Sequence, residues 1–391
     1  MRQISLAMIG FGNVGQAFAR LLLQKEPELA DQFGMNLIVT GILTGRHGAA
    51  LSTGGINLTR ALEVIGRGQS LDILSEMPAP KRPAEFLFSA SAEALIESTP
   101  VNHLSGQPAI DHIKAALEKG MHAITANKGP VVHAHAELTQ LAAARGKRFL
   151  FESAVMDGAP IFSLFRGPLP AVELKGFHGI LNSCTNLLLE LMEQGKTFEE
   201  AVTYGQSVGI TETDPSADID GWDAAIKVSA LSTVLMGIPL KPEEVNRTGI
   251  RGITTQMIAG ALKNSERWKL VCSAQRHGES VTATVAPQRI AAASPLYSIN
   301  GTSSFVQFEM DTLPGLGILE SNPGPETTAY GLLADLTNAV REGKLIEVMR
   351  CVEEGLVGVN TRDAYGWTPC MYAAQNGRDA IIEYLVVKGA D

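Results

Sequence analysis

The chain has 391 residues, 45% of them hydrophobic and 19% charged, with 39 glycines and a formal net charge of -9. That length suffices for two or three domains around a sizeable core, and the composition is that of a soluble α/β protein, neither fibrous nor disordered. The acidic balance argues against a nucleic acid or an anionic membrane as partner, and Cys184, Cys272, Cys351 and Cys370 have the spacing of neither a disulfide framework nor a zinc site.

Met1-Arg2-Gln3 leads straight into a strand-like run without a signal-peptide pattern, and the apolar stretch from Val228 to Leu240 is too short and interrupted to span a bilayer. A soluble cytoplasmic protein acting on a small molecule is expected. The first strand, Ile4 to Ile9, runs into Gly10-Phe11-Gly12-Asn13-Val14-Gly15 and then the helical pattern Ala17, Phe18, Leu21, Leu22. A GxGxxG in strand-turn-helix context points to a dinucleotide, because the glycines permit the tight turn and the helix N-terminus receives a pyrophosphate. The second strand, Asn36 to Leu43, ends at Thr44-Gly45-Arg46-His47. An acidic residue there would grip the ribose 2′-hydroxyl of NAD; Thr44 and Arg46 instead leave room and positive charge for the 2′-phosphate of NADP, unless Arg46 is only a solvated loop cation.

Further along, Glu85 to Phe88 reads as a strand and Leu95 to Pro100 as a strand end. Ile110 to Lys119 is helical in period, and Met121 to Thr125 is a buried strand leading to Ala126-Asn127-Lys128-Gly129-Pro130. This βαβ rhythm implies a parallel doubly wound sheet of Rossmann type. Ligands bind beyond the carboxyl ends of such strands, so Thr99 and Lys128 fall where a nicotinamide and its substrate would meet; a lone lysine after a strand is usually solvated, but Asn127 and Gly129-Pro130 beside Lys128 favour function. From about Arg148 the rhythm changes. Glu152, in an apolar run, calls for a partner such as a cation, and Gly176 to Asn186 passes from strand residues into a helix expected over Leu187 to Gln194.

The segment Glu212 to Lys227 places five carboxylates, Glu212, Asp214, Asp218, Asp220 and Asp223, within twelve residues and then presents one lysine. Asp220 is a candidate N-cap, Asp223 stands in capping-box position, and Asp223 and Lys227 share a helix face. The segment is either a rigid acidic pocket facing an amine, suited to a small zwitterion whose reacting oxygen needs a proton, or a capped surface helix with an ordinary ion pair.

Together these motifs resemble homoserine dehydrogenase over roughly residues 4 to 340. The resemblance implies NAD(P)-linked interconversion of L-aspartate 4-semialdehyde and L-homoserine, on the route to threonine, isoleucine and methionine. It implies that Glu212, Asp218 and Asp223 bind the substrate, that Cys184 lies beside it, and that Lys227 and Lys128 are the candidates for proton transfer. It places a monovalent cation, Na or K, at the turn of Glu152, Val155, Asp157 and Ala159. The implied architecture is a dinucleotide domain over 1–150, rejoined at about 320–341 with Gly324 near the cofactor, and an α+β catalytic and dimerisation domain with a mixed sheet over 151–319. Cys184 stands where the family usually has threonine, and Ile210 where tyrosine is frequent.

The last segment, 342–391, resembles ankyrin repeats through Asp363-Ala364-Tyr365-Gly366-Trp367-Thr368-Pro369 and Gly389-Ala390-Asp391. Fewer than three units fit, so the segment should lean on the dehydrogenase or serve as a docking module for a protein partner. It takes the place of the threonine-sensing domain of many family members, so threonine feedback of that kind is not expected. Two other readings stay open at this level: another amino-acid dehydrogenase on the same architecture, and an ankyrin-bearing adaptor that senses cofactor without activity.

Overall fold

The computed structural model describes residues 2–211, 214–363, 366–375 and 379–391, with the side chains at 341–347, 350, 375 and 379 left aside. In chain order the first layer comprises β1 (Arg2–Ile9), α1 (Asn13–Phe33), β2 (Met35–Leu43), β3 (Ala49–Leu51), α2 (Leu58–Gly66), α3 (Pro83–Ser89), β4 (Ala94–Glu97), α4 (Ala109–Glu118), β5 (His122–Thr125), α5 (Lys128–His133), α6 (His135–Ala144) and β6 (Phe149–Leu150). These strands form one sheet in the order β3-β2-β1-β4-β5-β6. On β1, Ile4, Leu6 and Met8 enter one apolar cluster while Ala7 and Ile9 enter another. A strand buried on both faces is what helices on both sides of a parallel sheet require.

Two expectations need correction here. The sheet is parallel from β2 to β6, but its edge strand β3 pairs antiparallel with β2. Glu85 to Phe88 is helical, not a strand: Pro83 sits in the first turn of α3, Glu85 favours a helix N-terminus, and Phe86 and Leu87 point into the core from one helical face.

The second layer follows: α7 (Ile161–Arg166), β7 (Leu174–Ile180), α8 (Ser183–Glu193), α9 (Phe198–Ser207), α10 (Ser216–Ile219), α11 (Trp222–Leu231), β8 (Asn246–Arg247), α12 (Thr255–Lys263), β9 (Glu266–His277), β10 (Ser280–Ala291), β11 (Ser304–Met310) and β12 (Leu316–Glu320). Its sheet has the order β12-β11-β7-β9-β10-β8, antiparallel throughout except where β8 runs parallel to β10. The mixed sheet was expected. Helix α8 begins at Ser183, four residues before the sequence pattern suggested, because Asn182 caps it by accepting from the Thr185 amide at 2.8 Å.

The chain then returns to the first layer. Helix α13 (Pro325–Glu353) buries Ala329, Leu332, Leu333, Leu336, Ala339 and Val340 in the same cluster as β1 and α1 and continues unbroken beyond them. Its far end, with Val348 and Val352, packs against Ala373 of α14 (Pro369–Gln375) and Ile381 and Leu385 of α15 (Asp379–Val387). The repeat segment is thus fastened to the dinucleotide layer by a shared helix. No helix among the described residues is long and apolar enough to cross a membrane.

Candidate active site

In the first sheet the strand order reverses between β1 and β4, so a crevice opens beyond their carboxyl ends. The glycine loop lies there. Gly10 has φ +99°, and a Cβ on it would sit 2.6 Å from the Ser98 carbonyl oxygen; one on Gly15 would sit 2.7 Å from the Gly10 oxygen. Gly12 differs. It caps the 21-residue helix α1 without a side-chain bond, and nothing lies within 4 Å of where its Cβ would be. Asn13 and Val14 open that helix beside it. A free helix N-terminus flanked by open space is the form of a pyrophosphate cradle, so the residues present fit a dinucleotide.

On either side of the crevice lie Thr99, after β4, and the turn after β2. Thr44 folds that turn: its hydroxyl donates to the Gly48 carbonyl at 2.9 Å and accepts from the His47 amide at 2.8 Å. Arg46 is exposed on it. Gly324 precedes α13, where its amide donates to the Thr327 hydroxyl at 2.8 Å.

Below the crevice, α5 and α11 meet. Lys128 opens α5, whose N-cap Asn127 accepts from the Gly129 amide at 2.9 Å. Asp223 lies in the first turn of α11 with Lys227 one turn on, their Oδ2 and Nζ 2.9 Å apart, and Lys128 Nζ is 3.5 Å from Asp223 Oδ1. Asn182 Nδ2 donates to both Asp218 Oδ1 (2.7 Å) and Asp223 Oδ2 (2.9 Å), and Lys227 Nζ donates to the Leu181 carbonyl at 2.6 Å. Two lysines, two aspartates and one amide therefore converge.

Burial disfavours charge on each, but the fields decide the outcome. Burial pushes the Asp223 carboxyl up, and the Lys227 and Lys128 charges with the Asn182 bond outweigh it, leaving that carboxyl well below its usual range. For Lys227, burial is likewise outweighed by the Asp223 carboxylate, and its ammonium is held above the ordinary lysine value. Asp218 is pushed up by burial and by the Asp223 charge. One carboxylate is fixed as an anion, and its neighbour holds a proton more readily than an ordinary aspartate.

The local capping differs from the expected one. Gly221, at φ +79°, is the N-cap of α11, not Asp220; Asp220 ends α10 and is held by the Arg251 guanidinium. Asp223 does not close a capping box because its oxygens go to Lys227, Lys128 and Asn182. Gly249 explains the tightness: its Cβ would lie 2.2 Å from the Ile219 oxygen, so the loop of Arg247 and Arg251 presses directly beneath this turn.

A family model described as homoserine dehydrogenase matches residues 160–337, and one described as ankyrin repeat matches 365–391. An NAD(+)-dependent homoserine dehydrogenase of Pseudomonas canavaninivorans is 32% identical over 345 residues, 86% of this chain and 96% of that protein. The homoserine dehydrogenase of Methanocaldococcus jannaschii is 30% identical, covering 87% of this chain and all (100%) of its own. Among solved structures, a hyperthermophilic archaeal homoserine dehydrogenase in complex with NADPH aligns with a TM-score of 0.75 at 27% identity, over 87% of this chain and 98% of the other. One from Thiobacillus denitrificans aligns at 0.73 and 26%, over 88% and 74%.

The chain belongs to the homoserine dehydrogenase family. It is an NAD(P)-dependent oxidoreductase for L-aspartate 4-semialdehyde and L-homoserine. For a homoserine dehydrogenase the remaining expected residues stand as follows. Glu212 lies outside the described residues. Cys184 is buried, its Sγ 3.3 Å from the Thr211 hydroxyl, and burial together with the Asp218 charge pushes its thiol up to about 12, so it is a neutral hydrogen-bonding group and not a nucleophile.

Glu152 finds its partners within the protein. Its two oxygens accept from the Phe162 (2.6 Å) and Ser163 (2.8 Å) amides at the start of α7. The turn that follows is unusual: Met156 and Asp157 both have positive φ, 53° and 44°. Beside it Glu320 accepts from the Gly158 amide at 3.3 Å, and burial with the Asp157 charge pushes its carboxyl up to about 7. Glu320 Oε2 is buried without a hydrogen-bond partner. Among the described residues no group of three or more His, Cys, Asp or Glu could hold a metal ion.

The sequence pattern assigns no role to Asn182, Glu97 or Asp335, although the first two stand in the motifs that carry the resemblance. Asn182 carried a signal, an amide at a strand end before a helical run. Asp335 accepts from the Glu152 amide at 2.6 Å across 183 positions of sequence, and no local pattern announces such a contact.

Proposed function

We propose that Lys227 transfers the proton between solvent and the substrate's reacting oxygen, with Lys128 assisting from the opposite wall and Asp223 orienting both. The observation that carries this is the single carboxylate shared between the two ammonium groups. The nicotinamide, when bound, supplies or accepts the hydride. The protein's part is to hold the aldehyde or alcohol where Lys227 can reach its oxygen. Asp218 and Glu212 bind the α-ammonium, Cys184 lines the same wall, and exclusion of water strengthens each of these interactions.

For the cofactor, Gly10, Gly12, Asn13, Val14, Gly15, Thr99, Lys128 and Gly324 line the dinucleotide site, with Thr44 shaping the turn that presents Arg46. An exposed arginine on the turn after β2, where NAD-binding chains carry an acidic residue, favours NADP, although the relatives include an NAD(+)-dependent enzyme and an NADPH complex. A monovalent cation at Glu152, Val155, Asp157 and Ala159 is supported by the left-handed turn and by the unpartnered Glu320 oxygen; the Glu152 carboxylate itself is committed to the two amides of α7. The division into 1–150 with 320–341, 151–319 and 342–391 is supported by β1 to β6 forming one sheet, by β7 to β12 forming the other, and by α13 burying Ala329 to Val340 against β1 and α1. The edge strand β12, with Leu319 exposed, favours a homodimer through the second sheet, and the ankyrin-like segment favours a protein partner. Reduction of aspartate semialdehyde, followed by NADPH and NADH oxidation in parallel, tests the activity and the cofactor preference. Failure with both cofactors would sink the assignment.

A further inference from the structure

Glu97 ends β4 with its side chain fully buried, at the switch point of the first sheet. Its Oε1 accepts from the Thr99 amide at 3.0 Å and from the Thr99 hydroxyl, and its Oε2 accepts from the Thr125 hydroxyl at 2.6 Å. Thr125 Oγ1 in turn accepts from the Asn127 amide at 2.9 Å. Asn127 Nδ2 closes the ring by donating to the Thr99 carbonyl at 3.1 Å and, more weakly, to that of Pro100 at 3.4 Å. The ends of β4 and β5 are thereby one hydrogen-bonded unit that carries Thr99 at one end and Lys128 at the other.

The direction of these bonds is fixed by chemistry. A carboxylate only accepts, and a threonine hydroxyl has one proton. Thr99 and Thr125 must therefore both aim that proton at Glu97. His112 Nδ1, at 3.8 Å from Glu97 Oε1, is too distant to compete. Thr125 is fully buried, whereas Thr99 is partly exposed on the crevice. What Thr99 offers a ligand is then only oxygen lone pairs.

We propose that Glu97 sets the polarity of the Thr99 hydroxyl, making Thr99 an acceptor that reads the amide N–H of a carboxamide, and so positions the nicotinamide of the cofactor. This rests on the reading that Thr99 lies at the nicotinamide. Glu97 is a positioning residue here, since it touches the ligand only through Thr99.

The test compares two ligands by calorimetric titration of the full chain: NADPH, and its reduced 3-acetylpyridine analogue, which keeps the carbonyl but lacks the amide N–H. The unmodified enzyme should bind NADPH about five- to tenfold more tightly, the range expected of one neutral hydrogen bond. Thr99→Ser should keep that ratio. Thr99→Val and Glu97→Met should bring it to within twofold of unity, the first by removing the hydroxyl and the second by freeing it to rotate. Should Glu97→Met fail to fold, Glu97→Leu, equally unable to accept a hydrogen bond, stands in for it, and the Thr99 pair decides whether Thr99 accepts from the amide. Glu97→Met weakening both ligands alike with the ratio intact would reduce Glu97 to a structural part and overturn the proposal. Thr99→Val leaving both affinities unchanged would remove Thr99 from the nicotinamide, and with it the reading beneath the proposal. Thr99→Val weakening both equally would keep Thr99 there and overturn the polarity alone.

Discussion

Asp223 Oδ1 lies 3.5 Å from Lys128 Nζ, a contact between a helix of the second layer and the first residue of a helix of the dinucleotide layer. The other oxygen of the same carboxylate lies 2.9 Å from Lys227 Nζ. One anion therefore registers the two layers and spaces two ammonium groups across the cleft. Replacing Asp223 with Ala would leave two partly buried cations facing each other, which is more damaging than removing either lysine alone.

Lys227→Ala should lower turnover by at least ~10²-fold, the scale of a positioned general acid or base. The circular-dichroism spectrum should be unchanged, because Lys227 is only partly buried and its removal leaves Asp223 paired with Lys128 and Asn182. Steady-state rates near those of the unmodified enzyme would sink the assignment.

The sign of the pH dependence follows from Lys227 being held above its ordinary value. A raised lysine stays protonated through neutrality, so reduction of the aldehyde, which needs a proton donor, should be level there and fall only in the alkaline range. Oxidation of homoserine needs the free amine and should climb through that same range. In Asp223→Asn the stabilising charge is lost while burial remains. The alkaline limb of oxidation should then move to lower pH by about 1 to 3 units, as expected for a nearby opposite charge. A pH–rate profile superimposable on that of the unmodified enzyme would exclude Lys227 as the titrating group.

Arg46→Ala should raise the Michaelis constant for NADPH about tenfold or more and leave that for NADH nearly unaffected, since a charge-assisted bond to phosphate contributes roughly 1.5 to 3 kcal/mol. Equal effects on both cofactors would count against a 2′-phosphate contact. The exposure of Arg46 makes this variant harmless to the fold.

Two glycine variants separate folding from binding. Gly12→Ala meets no atom and has an ordinary φ of -76°, so it should destabilise by no more than about 1 kcal/mol while weakening NADPH through its Cβ in the cradle. Gly10→Ala must force a Cβ against the Ser98 backbone at φ +99° and should lower the melting temperature markedly. Thermal melts with and without NADPH check this: a misplaced cradle would let NADPH raise the melting temperature of Gly12→Ala as much as that of the unmodified enzyme.

Ending the chain near Arg341 should preserve turnover, because the part of α13 that fills the dinucleotide core, Ala329 to Val340, would remain. The isolated segment 342–391 should give a largely unfolded spectrum, since the helix that brings Val348 and Val352 to its small cluster would be cut from its core-anchored half, Ala329 to Val340, and too few repeats remain to stand alone. A truncated enzyme without activity, or a tail that melts cooperatively, would contradict this.

The sequence by itself determined the parts whose signals are local. The glycine loop after β1, the alternation of strands and helices, the Asp223–Lys227 pair one turn apart, and the repeat signature at 363–369 each depend on residues a few positions from one another, and periodicity and turn chemistry act at that range. Even the continuity of α13 into the tail could be read from the absence of a helix breaker before Glu342. Misreadings arose where a local rule met a competing long-range partner. Asp220 has the side chain of an N-cap, but Arg251, 31 residues away, takes it, and Gly221 caps the helix instead. At Glu152 the partners that burial demands are two amides of α7, which no turn or capping pattern announces. Tertiary structure alone decided that Lys128 meets Asp223, that Asn182 bridges two aspartates, and that Glu97 ties Thr99 to Thr125. The physical reason is that burial makes each of these polar groups find a partner, and which partner is available depends on how the two sheets pack, a property that no window of sequence contains.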